Sequence, residues 1–250
     1  MMNMRRSLPM LASLCLAAAP AAAYEYSAAA MHGWLVDAET RKPIAGAIVV
    51  AEWTLEFGLE GGGGYNWVVR ETTTDASGRF DIAAWGPLEV PAFLPREAAL
   101  KGRDPKVVFF KYGYAGIQET PSQAGKEYAR AKTFYGRGPK SRRWLLDGET
   151  FLYRPTADAE RIATEVLALD LFLSVMRAPC TFVSIPRAIQ ALRQARERLA
   201  AEAPQTNARF RYGPSSHERW LAGGAAYEAM QKKECGTSAR EALARLGGER

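Results

Sequence analysis

Two histidines, His32 and His217, are the chain's whole imidazole complement. A zinc site needs a close pair of ligands on at least one element, and these two lie on distant segments. His32 beside Gly33 therefore reads as a packed or surface side chain, and no metal site is expected. No GxSxG elbow, no P-loop and no GxGxxG opening a helix occurs. The glycine run in Glu60–Tyr65 leads into neither Lys-Ser/Thr nor a helix, so it cannot cradle a phosphate. Asp37, Glu52, Asp75 and Asp81 fit turns and strand exteriors. No pair must converge as glycoside hydrolysis requires. The sequence predicts a protein with no reactive centre and no cofactor. The alternative is a hydrolase whose site is built in the helical half from its many Arg and Glu residues.

Groups suited to recognition are better represented. Tyr65, Trp67, Tyr135 and Trp144 fall in or near expected loops, where aromatic rings can stack on sugar faces. Basic residues are densest from Lys126 to Arg143. Within that stretch Arg137, Lys140, Arg142 and Arg143 are candidates for peripheral contact with an anionic surface, such as lipid headgroups. The competing reading is a solvated loop that complements an acidic neighbour. Charge is uneven: residues 24–100 carry a net −6, 101–150 a net +6 and 151–250 a net +4.

Export decides which partners are reachable. Met1–Ala23 has the form of a secretory leader: Arg5 and Arg6, a short apolar run from Leu8 to Ala19, then Ala21-Ala22-Ala23 before a cut. The run is too short to span a bilayer, and no later stretch is long and apolar enough. The chain is expected to be periplasmic or extracellular after cleavage near Ala23. Nucleic acid is then excluded as a partner. Cys180 and Cys235 remain once Cys15 leaves with the leader, and two thiols in an oxidising compartment are expected to pair. The alternative is two separate buried thiols. Neither lies in a CxxC, so redox catalysis is not expected.

The elements that must position these groups come in two blocks. The 250 residues are 48% apolar and 24% charged, a balance that buries a core and excludes general disorder. Residues 24–153 read as strands. Met31–Asp37 is short, apolar and aromatic. Gly46–Leu55 is β-branched and places Ala47, Val49, Ala51, Trp53 and Leu55 on one face. Tyr65–Thr74, Arg79–Ala83 and Val107–Tyr114 follow, with a tight Asp75–Gly78 turn between two of them. Residues 154–250 read as helices over Thr156–Met176, Pro186–Glu202, a Ser215/Glu218-capped segment to Glu234, and a Ser238/Glu241-capped segment to Leu246. The long helix near Val166 is expected to cover the outward stripe His32, Trp34 and Val36.

The runs GWLVDAETRKPIAGAIVVAEW, TTTDASGRFDI and DPKVVFFKYGYAG give the first block a further character. Through Gly33, Leu35, Asp37, Thr40, Pro43, Ile44, Gly46, Ala47 and Val49 it resembles the carboxypeptidase regulatory-like domain. Thr74, Asp75, Gly78, Arg79 and Phe80, then Lys111, Gly113 and Tyr114, extend the match. The resemblance implies a transthyretin-like, immunoglobulin-like antiparallel β-sandwich and a non-catalytic accessory or binding module. The expected fold class is therefore α+β, a sandwich with a small helical C-terminal region packed on it. The expected function is an exported binding or scaffolding protein that contacts another envelope protein or a cell-wall polymer. A carbohydrate-binding module is the alternative.

Overall fold

The run Ile48–Phe57 begins with apolar residues on both sides of its pleat. In the computed structural model it forms β3, a strand with core on both faces. The structure describes residues 24–58, 63–100, 105–115, 140–176, 180–206 and 220–248. The expected leader, Lys126, Tyr135, Arg137, His217 and the Ser215/Glu218 box lie outside the described residues. Strand β3 pairs antiparallel with β4 (Gly63–Thr73) on one edge. Its other edge pairs with β8 (Lys106–Phe110) and, further along, β7 (Ala99–Leu100). A second sheet runs β5 (Arg79–Ile82), β2 (Met31–Asp37), β11 (Thr150–Pro155), β9 (Tyr114–Ala115). A third, smaller sheet runs β10 (Ser141–Arg142), β1 (Glu25–Ala28), β6 (Trp85–Glu89).

The architecture mixes α and β, and most strand pairs are antiparallel. Two pairings are not: β11 runs parallel to β2, and β10 parallel to β1. Both join strands far apart in the chain, so no tight hairpin dictates direction. Leu35, Phe80, Ile82, Phe151 and Tyr153 of the second sheet meet Val49, Ala51, Trp53, Leu55, Val107 and Phe109 of the first in one buried cluster. Val107–Tyr114, read as one strand, divides at a turn through Gly113 (φ 84°), and β9 crosses to the second sheet. The glycine run is shorter as a connection than its composition suggests, since β4 already begins at Gly63.

Helices occupy the chain after β11. They are α1 (Ala159–Ser174), α2 (Thr181–Ser184), α3 (Pro186–Glu202), α4 (Gly224–Cys235) and α5 (Ala239–Gly248). Local chemistry sets their ends. Asp158 accepts the Glu160 N–H at 3.0 Å, and Pro186 opens α3 where its missing N–H costs nothing. Gly236 closes α4 in the left-handed region. Ser238 and Glu241 exchange backbone bonds as a capping box.

These helices do not cover the outward face of β2. They pack on the outer face of the first sheet, where Ile48, Val50, Val69, Val108 and Phe110 join Val166, Leu169, Phe172, Leu173, Ile189 and Leu192. Polarity explains the choice. On the second sheet Arg79 forks onto Asp81 at 2.6 and 2.8 Å, and its guanidinium lies 5.2 Å from the Trp34 ring. Burying that face would strip water from an ion pair, whereas the outer face of β3 and β4 meets the helices mainly through aliphatic and aromatic side chains, and its Glu71 accepts the N–H groups of Arg187 and Ala188. Trp34 is half-buried under Arg79 instead of a helix.

Several turn residues act as staples. The Thr74 hydroxyl donates to the Ile44 carbonyl at 2.6 Å and accepts the Ala47 N–H at 2.8 Å. Asp37 accepts from the Thr40 and Glu39 N–H groups and from the Tyr114 hydroxyl at 3.1 Å. The Thr40 bond, with those from Glu39 and Tyr114, holds its carboxyl below the ordinary value against the cost of burial. Asp75 accepts the N–H groups of Ser77 and Arg79, and Gly78 sits at φ 75°. A Cβ at Gly78 would collide with the Leu35 carbonyl oxygen. Gly78→Ala is therefore expected to cost about 2–4 kcal/mol by urea denaturation, from backbone strain plus the clash. A loss below about 0.5 kcal/mol would show that the turn relaxes freely.

Cys180 and Cys235 are joined, with an S–S distance of 2.06 Å and Cα atoms 5.4 Å apart. The bond ties the start of α2 to the end of α4. Among the described residues no helix is long and apolar enough to cross a membrane.

Candidate functional site

The long hairpin β3–β4 carries a register shift between Trp53 and Thr54. Trp53 faces Val68 and Thr54 faces Asn66, so Trp67 has no partner opposite. A bulge of this kind bends a strand and re-aims its side chains. Strict alternation would send Tyr65 and Trp67 to one face and Asn66 to the other. The bulge turns Trp67 and Val68 toward the same buried cluster, and Tyr65, Asn66, Trp67 and Val69 line one cleft of about 360 Å³. The opposite wall is Thr181 and Ser184 of α2 and Glu234 of α4, next to the Cys180–Cys235 bond.

Packing fixes the aromatic side of this cleft. Trp67 meets Trp85 edge-on at 5.4 Å and Tyr26 at 6.0 Å. Tyr65 meets Phe93 edge-on at 5.4 Å, and Phe93 is 72% exposed. Edge-on contacts of this kind hold ring planes without closing them to a ligand. Below the cleft Glu52 and Asn66 are both buried. The Glu52 carboxylate accepts from the Thr54 hydroxyl at 2.8 Å and from the Asn66 amide. Hydrogen-bonding satisfies the buried acid and sets which way the Asn66 amide faces.

The arrangement offers rings, an amide, two hydroxyls and a carboxylate in one recess. That is a recognition surface for a molecule with both apolar faces and hydroxyl edges. Among the described residues, no three His, Cys, Asp or Glu side chains gather where they could hold a metal ion.

The other residues singled out in the sequence do not join this cleft. Lys140 and Arg143 are exposed, with the Lys140 ammonium 5.2 Å from the Tyr24 ring. Arg142 is only 3% exposed; it donates to the Leu100 carbonyl and lies 5.5 Å from the Tyr26 ring. Trp144 is 4% exposed and stacks on Phe151 at 5.6 Å. Both were expected at a contact surface and are core instead. The pleat of β10 turns Ser141 outward and Arg142 inward, and Trp144 completes the cluster around Phe80 and Phe151. Arg137 lies outside the described residues.

Sequence reasoning missed the partner of His32. Asp147 accepts the His32 backbone N–H at 2.9 Å and lies 3.0 Å from its Nδ1, across 115 positions. Gly148 then returns an N–H to the His32 carbonyl at 2.9 Å. Asp147-Gly148 carried a turn signal, but only the parallel entry of β11 brings that turn to β2. Glu234, Thr181 and Ser184 carried no signal, since their role depends on how α2 and α4 dock. No family model, curated protein or solved structure matches the chain.

Proposed function

We propose that this chain is an exported, non-catalytic binding protein that holds a cell-wall polymer in the cleft between β4 and the disulfide-joined helices. The observation that carries the reading is the convergence of Tyr65 and Trp67 with Asn66, Thr181, Ser184 and Glu234. A sugar ring presents apolar C–H faces and hydroxyl edges, and this lining complements both. The volume of about 360 Å³ falls at the lower end of ordinary ligand clefts, roughly 300–1,000 Å³. A disulfide supports an oxidising compartment, in line with the leader expected from the sequence.

The strand block is read as a carboxypeptidase regulatory-like, transthyretin-like sandwich. Support comes from what the resembling residues do: Asp37, Thr74, Asp75 and Gly78 each close a turn or bridge two strands. A second reading is contact with an envelope protein through the outward face of β2. It is favoured by Trp34 and Arg79 lying together on a sheet face that no helix covers among the described residues, since Trp and Arg dominate protein interfaces.

The test is affinity for peptidoglycan fragments, chitin oligosaccharides and starch, read by native affinity electrophoresis and calorimetry. Tyr65→Ala and Trp67→Ala should each weaken binding roughly tenfold, the upper value for loss of one stacking ring. Trp67 also packs in the core, so Phe93→Ala at the exposed rim provides a variant that leaves the fold intact. Unchanged mobility of the wild type in every polymer would overturn the reading.

A further inference from the structure

We propose that the seam between the first sheet and α3 is an oxyanion-binding cleft, taking a ligand that carries carboxylate or phosphate groups. The cleft holds about 470 Å³ and shares no lining residue with the aromatic one. Its polar wall is made of donors. Arg187, Gln190, Gln194 and Arg198 follow one another along one face of α3 at helical spacing, and Lys111 and Tyr112 face them from the turn after β8. Among the described residues no carboxylate lines the space.

Among the described residues two carboxylates at its margins, Glu202 and Glu71, are engaged. Glu202 accepts from Arg198 Nε at 2.6 Å and from the Tyr112 hydroxyl at 2.8 Å. Glu71 accepts the N–H groups of Arg187 at 2.7 Å and Ala188 at 2.8 Å, so the start of α3 is already capped. The Lys111 ammonium donates to the carbonyls of Ala45 at 2.9 Å and Gly46 at 3.4 Å. Those dipoles aim it at the cleft but leave its charge whole. Arg198 is thus matched by Glu202, while among the described residues Lys111 is met by carbonyl oxygens, which leaves an ammonium charge at the wall of an open cleft. The Arg198 guanidinium is also held in place, 4.3 Å from the Tyr112 ring. A fixed guanidinium, a carbonyl-anchored ammonium and two amides suit a group with several acceptor oxygens.

The test titrates the mature exported chain calorimetrically with pyrophosphate and, separately, with citrate, at low and high salt. Chitin oligosaccharide serves as a parallel probe of the aromatic cleft. Saturable binding of either anion is expected, weakening as salt rises. The tighter anion tells whether phosphate or carboxylate is the preferred group. Lys111→Gln with Arg198→Gln should weaken it roughly tenfold or more, as loss of two charge-assisted contacts implies. Gln194→Glu changes one exposed helix position and puts a negative charge in the recess, so it should weaken anion binding without disturbing the fold. Oligosaccharide binding should be unmoved by all of these changes, which separates this site from the aromatic cleft. Failure of both anions to saturate, or equal affinity in the variants, would overturn the proposal.

Discussion

Replacing Cys180 and Cys235 together by serine is expected to lower the unfolding free energy by about 4 kcal/mol. The bond spans 55 positions, and on the chain-entropy model a cross-link over a loop of that length removes roughly that much freedom from the unfolded chain. The helical end needs this constraint. On α4 only Gln231 is buried, and it reaches the Trp220 carbonyl at 3.1 Å and the Ala239 N–H at 3.0 Å. A helix with so little apolar burial is held by those polar contacts and by the covalent tie. Urea denaturation of wild type, reduced wild type and the double serine variant checks this. Reduction should reproduce the loss in wild type and do nothing to the variant. Oligosaccharide affinity should fall in parallel, because Glu234, Thr181 and Ser184 line the cleft on either side of the bond. A loss under about 1 kcal/mol would mean that α4 docks by packing alone.

The second large effect is a pH dependence centred on Glu71. Burial pushes its carboxyl up to about 7 from an ordinary 4.5, outweighing the Arg187 and Ala188 N–H bonds and the Arg187 charge that pull it down. Between those values the folded chain holds a proton that the unfolded chain has released. Stability therefore falls as pH rises from about 4.5 through about 7, approaching a loss of about 3 kcal/mol in all. Asp37, Asp75, Asp81, Glu202 and Glu241 are held low, so their contributions are present above their unfolded values and disappear only in acid. Glu71→Gln keeps one acceptor for the helix start and removes the titration. It should match wild type near pH 4.5 and exceed it at pH 8. If wild type is instead the more stable of the two at pH 8, the ionised carboxylate is the better cap and burial is not the dominant influence.

What could be read from residue order alone was the set of local decisions. Asp75–Gly78 closes its turn because an Asp side chain can bond the backbone ahead of it and Gly accepts positive φ. Met31–Asp37 and Pro186–Glu202 begin and end as expected because polarity pattern, proline and turn chemistry act within a few residues. The pairing of Cys180 with Cys235 was expected once Cys15 was read as part of a leader. Tyr65 and Trp67 could be named as aromatic candidates, but not as neighbours of Glu234. Tertiary structure decided that, through the docking of α2 and α4 beside β4. It also decided which sheet face the helices bury, which way β11 runs, that Asp147 meets His32, and that Arg142 and Trp144 are core. Each of these depends on competition between surfaces distant in the chain. The sum of apolar burial and polar desolvation over the assembled sheets settles such competition, and no local pattern carries that sum.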